Sequence, residues 1–258
     1  MAMILSIGLK GGVGKSTNMR LFIEIIRQKG MKVAVFDSDR TNADVYRYLA
    51  EKGEDGIVPL PEQNVLNGVQ RVSLKNKDDI KVFVNHLSKT VETYKDLQHI
   101  IIDFAATGEG SYQELEEKFP QFERAMKLIG NDELIIIFSM GDTTNSPTQL
   151  ANTLNRYASK AKFIIVRSAH FPEPFYDKSP IPKFIENIKG IEITTPDWPR
   201  ELWQYLDPIN GRFYSITKRG CGLAIADVAE AQDFWERTVE AFKPATDFLE
   251  EKQNADKN

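Results

Sequence analysis

The 258-residue chain predicts an α/β fold, with a mostly parallel sheet covered by helices on both faces. Short apolar runs alternate with amphipathic stretches along most of its length. Several of those runs end at a glycine or an aspartate, and a glycine-rich turn separates the first run from the first helical stretch. Strand, helix, strand, repeated, makes βαβ units, whose parallel strands are buried on both faces and so read as continuous apolar runs.

The elements follow in order. Residues 3–7 (MILSI) form a buried strand ending at a glycine. Residues 16–29 carry Met19, Phe22, Ile23 and Ile26 at helical spacing, with Gly30 as a stop. Residues 32–36 (KVAVF) are a second strand, ending at Asp37. Residues 78–94 place Ile80, Phe83, Val84, Leu87 and Val91 on one helical face. Further strands are expected at 99–103 (HIIID), 133–138, 161–166 and 190–193, and helices at 144–159 and 223–250. No repeat or low-complexity block appears, and the proline-rich run at 171–182 reads as a loop. The expectation is one domain over 1–250, with 251–258 a frayed acidic tail.

Composition narrows the functional classes. Thirty-three Lys and Arg against 37 Asp and Glu give a net charge of −4, so any nucleic-acid contact needs a local basic patch. A single cysteine, Cys221, excludes an internal disulfide framework and a cysteine-only zinc or iron–sulfur site within one chain. A packed thiol is its expected role. No apolar run approaches the roughly 20 residues that span a bilayer, and nothing resembles a signal peptide. The expected location is the cytoplasm.

The stretch GLKGGVGKST, residues 8–17, carries the chemistry. It follows a strand and opens a helix, the context a phosphate-binding loop requires. Glycines let backbone N–H groups approach phosphate oxygens with no Cβ in the way, and the positive end of the helix adds a favourable field. Gly11, Gly12, Val13, Gly14, Lys15, Ser16 and Thr17 are the expected nucleotide contacts. Lys15 would reach the β- and γ-phosphates and Ser16 would put its hydroxyl on Mg²⁺. A glycine-rich turn with no nucleotide is the competing reading, and the strand, the helix and Gly14-Lys15-Ser16 together weigh against it.

The general pattern G-x-x-x-x-G-K-[ST] would place a glycine where this chain has Leu9. A narrower pattern fits: Lys10-Gly11-Gly12-Val13-Gly14-Lys15-Ser16. It resembles the deviant Walker A motif of the ParA/MinD family of P-loop ATPases, which implies ATP and Mg²⁺ as cofactors and a SIMIBI-like P-loop NTPase architecture. In that family the first lysine crosses a dimer interface to the phosphates bound by the other subunit. The resemblance therefore casts Lys10 as a catalytic residue acting in trans, much as an arginine finger does.

Other strand ends extend the likeness. Asp37-Ser38-Asp39 resembles the family's switch I. By resemblance Asp37 helps hold the Mg²⁺ shell and Asp39 positions the attacking water; a helix cap near Thr41 is the alternative. Ile101-Ile102-Asp103 resembles a Walker B strand that delivers one carboxylate to the metal. The family continues Asp-x-Pro, whereas this chain reads Asp103-Phe104-Ala105, without the proline. At the strand end where the family contacts adenine, this chain has Arg167 and Ser168. Trp198 and Trp203 are expected to pack in the core or loops rather than on the base.

Subtraction within the family points to a small ParA-like member. Paired cysteines for an iron–sulfur relative are absent. Residues 227–258 hold four Lys or Arg against nine Asp or Glu, unlike a basic membrane helix. No separate DNA-reading domain is expected ahead of the phosphate loop. The resemblance implies an ATP-dependent homodimer on nonspecific DNA, an activating ParB-like partner, no membrane, and the partition or positioning of a cargo. Location at the nucleoid would follow. Between Arg156 and Arg219, eleven Lys or Arg face seven Asp or Glu. Lys218, Arg219 and Lys189 are the expected DNA contacts, with Lys160, Lys162, Lys183 and Arg212 as further candidates. Alternatives are a ParA-like ATPase serving conjugative transfer or protein-complex positioning, a dethiobiotin-synthetase-like metabolic enzyme, and a non-hydrolysing nucleotide-gated scaffold.

Overall fold

A computed structural model describes residues 1–8, 14–54, 58–106, 111–141, 146–169, 176–197, 199–206 and 211–255. Its strands are β1 (Ala2–Ile7), β2 (Val33–Asp37), β3 (Gln70–Arg71), β4 (His99–Asp103), β5 (Glu133–Met140), β6 (Lys162–Arg167) and β7 (Ile191–Thr194). They form one sheet in the order β3-β2-β4-β1-β5-β6-β7. Every pairing between these strands is parallel. The six strands expected from sequence are all present, with ends moved by a residue or two. The short edge strand β3 was not expected, because Gln70-Arg71 carries no apolar signal.

The helices are α1 (Lys15–Gln28), α2 (Asp44–Leu49), α3 (Lys77–Thr93), α4 (Tyr112–Lys118), α5 (Phe122–Leu128), α6 (Ser146–Tyr157), α7 (Ile181–Asn187), α8 (Arg200–Leu206) and α9 (Ile225–Ala255), with a 3₁₀ helix, η1 (Phe213–Thr217), before α9. Successive strand side chains point to opposite faces, so one strand feeds two cores. Ile4 packs into the core shared with α1, η1 and α9. Met3 and Leu5 pack into the other, with α3, α4, α5 and α6. α3 starts where Asn76 accepts from the Asp78 and Asp79 amides, and Ile80, Phe83 and Leu87 are buried, as the spacing predicts. α9 runs through Pro244 to Ala255, five residues into the segment expected to fray.

Register sets the site. Asp103 at the end of β4 is paired with Asp37 at the end of β2. On its other side it is paired with Ser6 of β1. The strand that feeds the phosphate loop therefore lies directly beside β4, which ends in Asp103, with β2 and its Asp37 one strand further out. In an open parallel sheet ligands bind at such carboxyl ends.

Candidate functional site

The first turn of α1 begins at Gly14, whose φ of 78° lies in the left-handed region that glycine adopts without penalty. Gly8 is needed for a second reason. A Cβ there would come within 3.2 Å of the Lys15 side chain, which lies along it.

Lys15 and Ser16 both turn to Asp103. The Lys15 ammonium lies 2.7 Å from Asp103 Oδ1. The Ser16 hydroxyl donates to Asp103 Oδ2 at 3.0 Å. Lys15 and Asp103 are 7% and 0% exposed, so this is a buried ion pair. Ser38, unassigned by sequence reasoning, supports the strand end by donating its N–H and its hydroxyl to the Asp103 carbonyl, at 2.9 and 3.1 Å.

Asp37 completes the centre. Its Oδ1 accepts from the Asp39 amide at 3.0 Å and its Oδ2 from the Tyr46 amide at 2.9 Å. Its carboxyl is pushed up to about 8, first by burial and then by the charge of Asp103 beside it. Asp103 thus takes the buried ammonium, and Asp37 beside it keeps its proton. Two carboxylates and a hydroxyl are hard oxygen donors that fit Mg²⁺ shared with phosphate oxygens and water. Among the described residues no group of three His, Cys, Asp or Glu forms a self-sufficient metal cage.

A pH dependence follows. In the unfolded chain Asp37 titrates in the ordinary carboxylate range, whereas in the fold it holds its proton to about pH 8. The folded state then binds more protons, so this contribution to stability is lost as pH rises from about 4 to about 8. Urea denaturation of the metal-free protein at several pH values in that window should show the decline, and Asp37→Asn should flatten it.

Asp39 makes the cap near Thr41 that the sequence left as its alternative role. Its Oδ1 accepts from the Thr41 and Asn42 amides at 3.0 and 2.9 Å, which makes it the cap of the loop leading to α2. Thr17 faces Arg20, whose Nη2 lies 3.5 Å from the Thr17 hydroxyl. Lys10, Gly11, Gly12 and Val13 lie outside the described residues, as do Trp198 and the side chain of Trp203. At the expected adenine strand end, the Arg167 guanidinium sits 5.4 Å over the Tyr176 ring, and Ser168 donates its amide to the Met140 carbonyl.

Sequence reasoning missed a polar stripe on α1. Thr17, Arg20, Glu24 and Arg27 recur every three or four residues and so share one face. Arg20 is 6% exposed and its guanidinium lies 3.7 Å over the Tyr48 ring. Burial pulls that guanidinium below its usual range. Glu24 is 7% exposed and accepts from the amides of Phe213 and Tyr214, at 3.0 and 2.9 Å, pinning the start of η1 to α1. Burial pushes its carboxyl up. The spacing of those four residues was the available signal.

The expected DNA contacts do not form one patch. Lys218 and Arg219 are exposed just after η1, with the Lys218 ammonium 4.8 Å over the Tyr214 ring. Thr217 beside them accepts from Gln232, near the start of α9. Lys189 is exposed at the amino end of β7, at φ 54°. That edge of the sheet holds the far end of α9, since Lys162 at the start of β6 covers Phe248. Residues 232 and 248 are roughly 24 Å apart along a helix. Three further candidates are engaged elsewhere. Lys160 pairs with Glu116 and Glu123, Lys162 with Glu133, and Arg212 donates to the Leu49 and Asn67 carbonyls. Cys221 is half-buried, its thiol 3.6 Å from the Ile216 carbonyl.

Beside the start of the phosphate loop lies a cleft of about 620 Å³, between Gly8, Ala105 and Ala106 and the helices α4 and α6.

Comparison with known proteins agrees with this fold. The family model described as "CobQ/CobB/MinD/ParA nucleotide binding domain" matches residues 4–181. Protein MobD of Acidithiobacillus ferrooxidans is 24% identical over 195 residues, covering 74% of this chain and 75% of that one. The MinD cell division protein of Aquifex aeolicus superposes with a TM-score of 0.50 at 16% identity, over 89% of this chain and 96% of that one. The MinC:MinD cell division protein complex of the same organism gives 0.52 at 15% identity, over 89% and 95%. These structural likenesses are of fold. Among the described residues no helix is long and apolar enough to cross a membrane.

Proposed function

This chain belongs to the CobQ/CobB/MinD/ParA family of nucleotide-binding domains, and from that premise we propose that it is a slow, partner-stimulated ATPase that dimerises on ATP, binds nonspecific DNA and positions a cargo. The observation that carries the reading is the buried Lys15, Asp37 and Asp103, with the half-buried Ser16, in a chain whose sequence there reads K-G-G-x-G-K-S.

Lys15 and the loop amides hold the phosphates. Ser16, Asp37 and Asp103 would hold Mg²⁺, which would supply charge neutralisation on the phosphates when bound. With phosphates bound, Lys15 would turn from Asp103 toward them, and Asp103 would be freed to hold the metal. Lys10 from a second subunit neutralises the γ-phosphate, and Asp39, released from the Thr41 and Asn42 amides, supports the attacking water. ATP favours the closed dimer only if it binds that state more tightly than the open one. Glu24 ties the phosphate-loop helix to η1, and so to Lys218 and Arg219 beyond it. DNA release follows hydrolysis, and a ParB-like partner sets its timing.

Binding to random-sequence duplex DNA with ATP, with ADP and without nucleotide tests the reading. Wild type should bind only with ATP. Lys10→Ala should lose that binding, and Lys218→Ala with Arg219→Ala should weaken it by about tenfold and flatten its salt dependence. No DNA binding in any state, by protein that still takes up ATP, would overturn the DNA-borne role.

The 620 Å³ cleft favours a second reading. Ser111, Glu117, Asn152 and Arg156 line it beside the phosphate loop, the setting of a small acceptor in a metabolic enzyme. ATP turnover that depends on a small molecule and ignores DNA would select this alternative.

A further inference from the structure

A second cleft, of about 420 Å³, opens where the C-terminal half of α1 meets η1 and the loop after α2. It is separate from the nucleotide site, since Arg27 lies twelve residues, roughly 18 Å, along α1 from Lys15.

Its wall carries two converging guanidinium groups. Arg27 donates to the carbonyls of Asn67 and Gly68, at 2.8 and 2.7 Å. Arg212 donates to the same Asn67 carbonyl at 2.7 Å, and to that of Leu49 at 3.2 Å. Two acids stand near, Glu24 in the cleft wall and Glu51 beyond it, and each is held by backbone amides while its charge also favours the Arg27 cation. Glu24 accepts from the Phe213 and Tyr214 amides, and Glu51 accepts from the Asn64 amide at 2.7 Å. Arg27 is pulled down to about 9, first by burial and then by the charge of Arg212. Burial lowers Lys52 too, followed by the charges of Arg212 and Arg47. The corner is a concentration of positive charge.

A bare carbonyl clamp does not need two arginines on one oxygen. Each guanidinium has five N–H donors, and Arg27 Nε is buried without a hydrogen-bond partner. The two groups keep N–H donors beyond those on the carbonyls, and a guanidinium is a match for a phosphate or carboxylate. The other walls are Met31, Leu49, Leu66 and the Tyr214 ring, which is 37% exposed. The volume lies in the range of small-molecule sites.

We propose that this cleft binds a small organic anion, its phosphate or carboxylate head held by Arg27 and Arg212 and its compact apolar body laid against Tyr214. The ligand neutralises the paired arginines and so tightens α1 against η1.

The test is a titration of phenyl phosphate into protein already saturated with ADP and Mg²⁺, so that the nucleotide site is filled. Arginine Nε–Hε resonances are followed by NMR. Saturable shifts of Arg27 and Arg212 are expected. Arg212→Gln should weaken binding roughly tenfold or more, as expected for losing charge-assisted hydrogen bonds, and Lys127→Ala, at an exposed position on α5 across the sheet, should leave it unchanged. Should Arg212→Gln fail to fold, the wild-type resonances decide alone. The absence of saturable shifts at millimolar phenyl phosphate would overturn the proposal. So would shifts at these two arginines from short duplex DNA alone, which would make them a nucleic-acid contact. ADP binding is recorded in the same sample, so a failure of nucleotide binding is read separately.

Discussion

Lys15→Ala should abolish ATP uptake and destabilise the empty protein at once. The ammonium is 7% exposed and lies 2.7 Å from Asp103, which is fully buried. Removing it leaves the buried Asp103 carboxylate without its cation, beside an Asp37 that already holds a proton. Breaking a buried pair by deleting one partner costs about 3–5 kcal/mol. Urea denaturation should show that loss without nucleotide, and a fluorescent ATP analogue should bind at least about a hundredfold more weakly, the scale of losing a charged contact to phosphate. ATP affinity within twofold of wild type would refute the role given to Lys15.

Asp103→Asn should have the opposite balance. It costs less stability than Lys15→Ala, because one ammonium and one carboxylate, Asp37, remain to balance each other. Burial still raises the Asp37 carboxyl, but the charge of Asp103 no longer adds to it, so its titration moves back toward the ordinary range. Hydrolysis, however, should fall by about a hundredfold or more, because the metal loses a carboxylate at the point where phosphate charge is neutralised. Nucleotide binding without Mg²⁺ should survive, since Lys15 and the loop remain. The two variants together separate holding phosphate from holding metal. Equal losses of stability and of hydrolysis in both would remove that distinction.

The parts legible in sequence are those whose signal is local. Strands buried on both faces must be apolar throughout, so β1, β4 and β5 are visible as runs, whereas Gln70-Arg71 at the edge is not. The phosphate loop is visible because its chemistry needs glycines and a lysine at fixed spacing. The amphipathic face of α3 is visible because its other face meets water. α1 hid more, because a helix packed against the sheet on one side and against α2, η1 and α9 on the others buries its polar residues too. Arg20 and Glu24 are tolerated there because a tyrosine ring and two backbone amides meet them.

The sequence by itself determined the α/β class, the identity of the phosphate loop, and which strand ends would carry Asp37 and Asp103. Only the tertiary structure decided that Lys15 closes onto an aspartate 88 residues away, that Asp37 holds a proton near neutral pH, and that Asp39 caps its own loop. It also decided that Lys189 stands apart from Lys218 and Arg219 and that two arginines converge on a second cleft. The physical reason is that spacing encodes backbone geometry within a few residues, whereas charge state, desolvation and pairing depend on groups that only the folded sheet brings together.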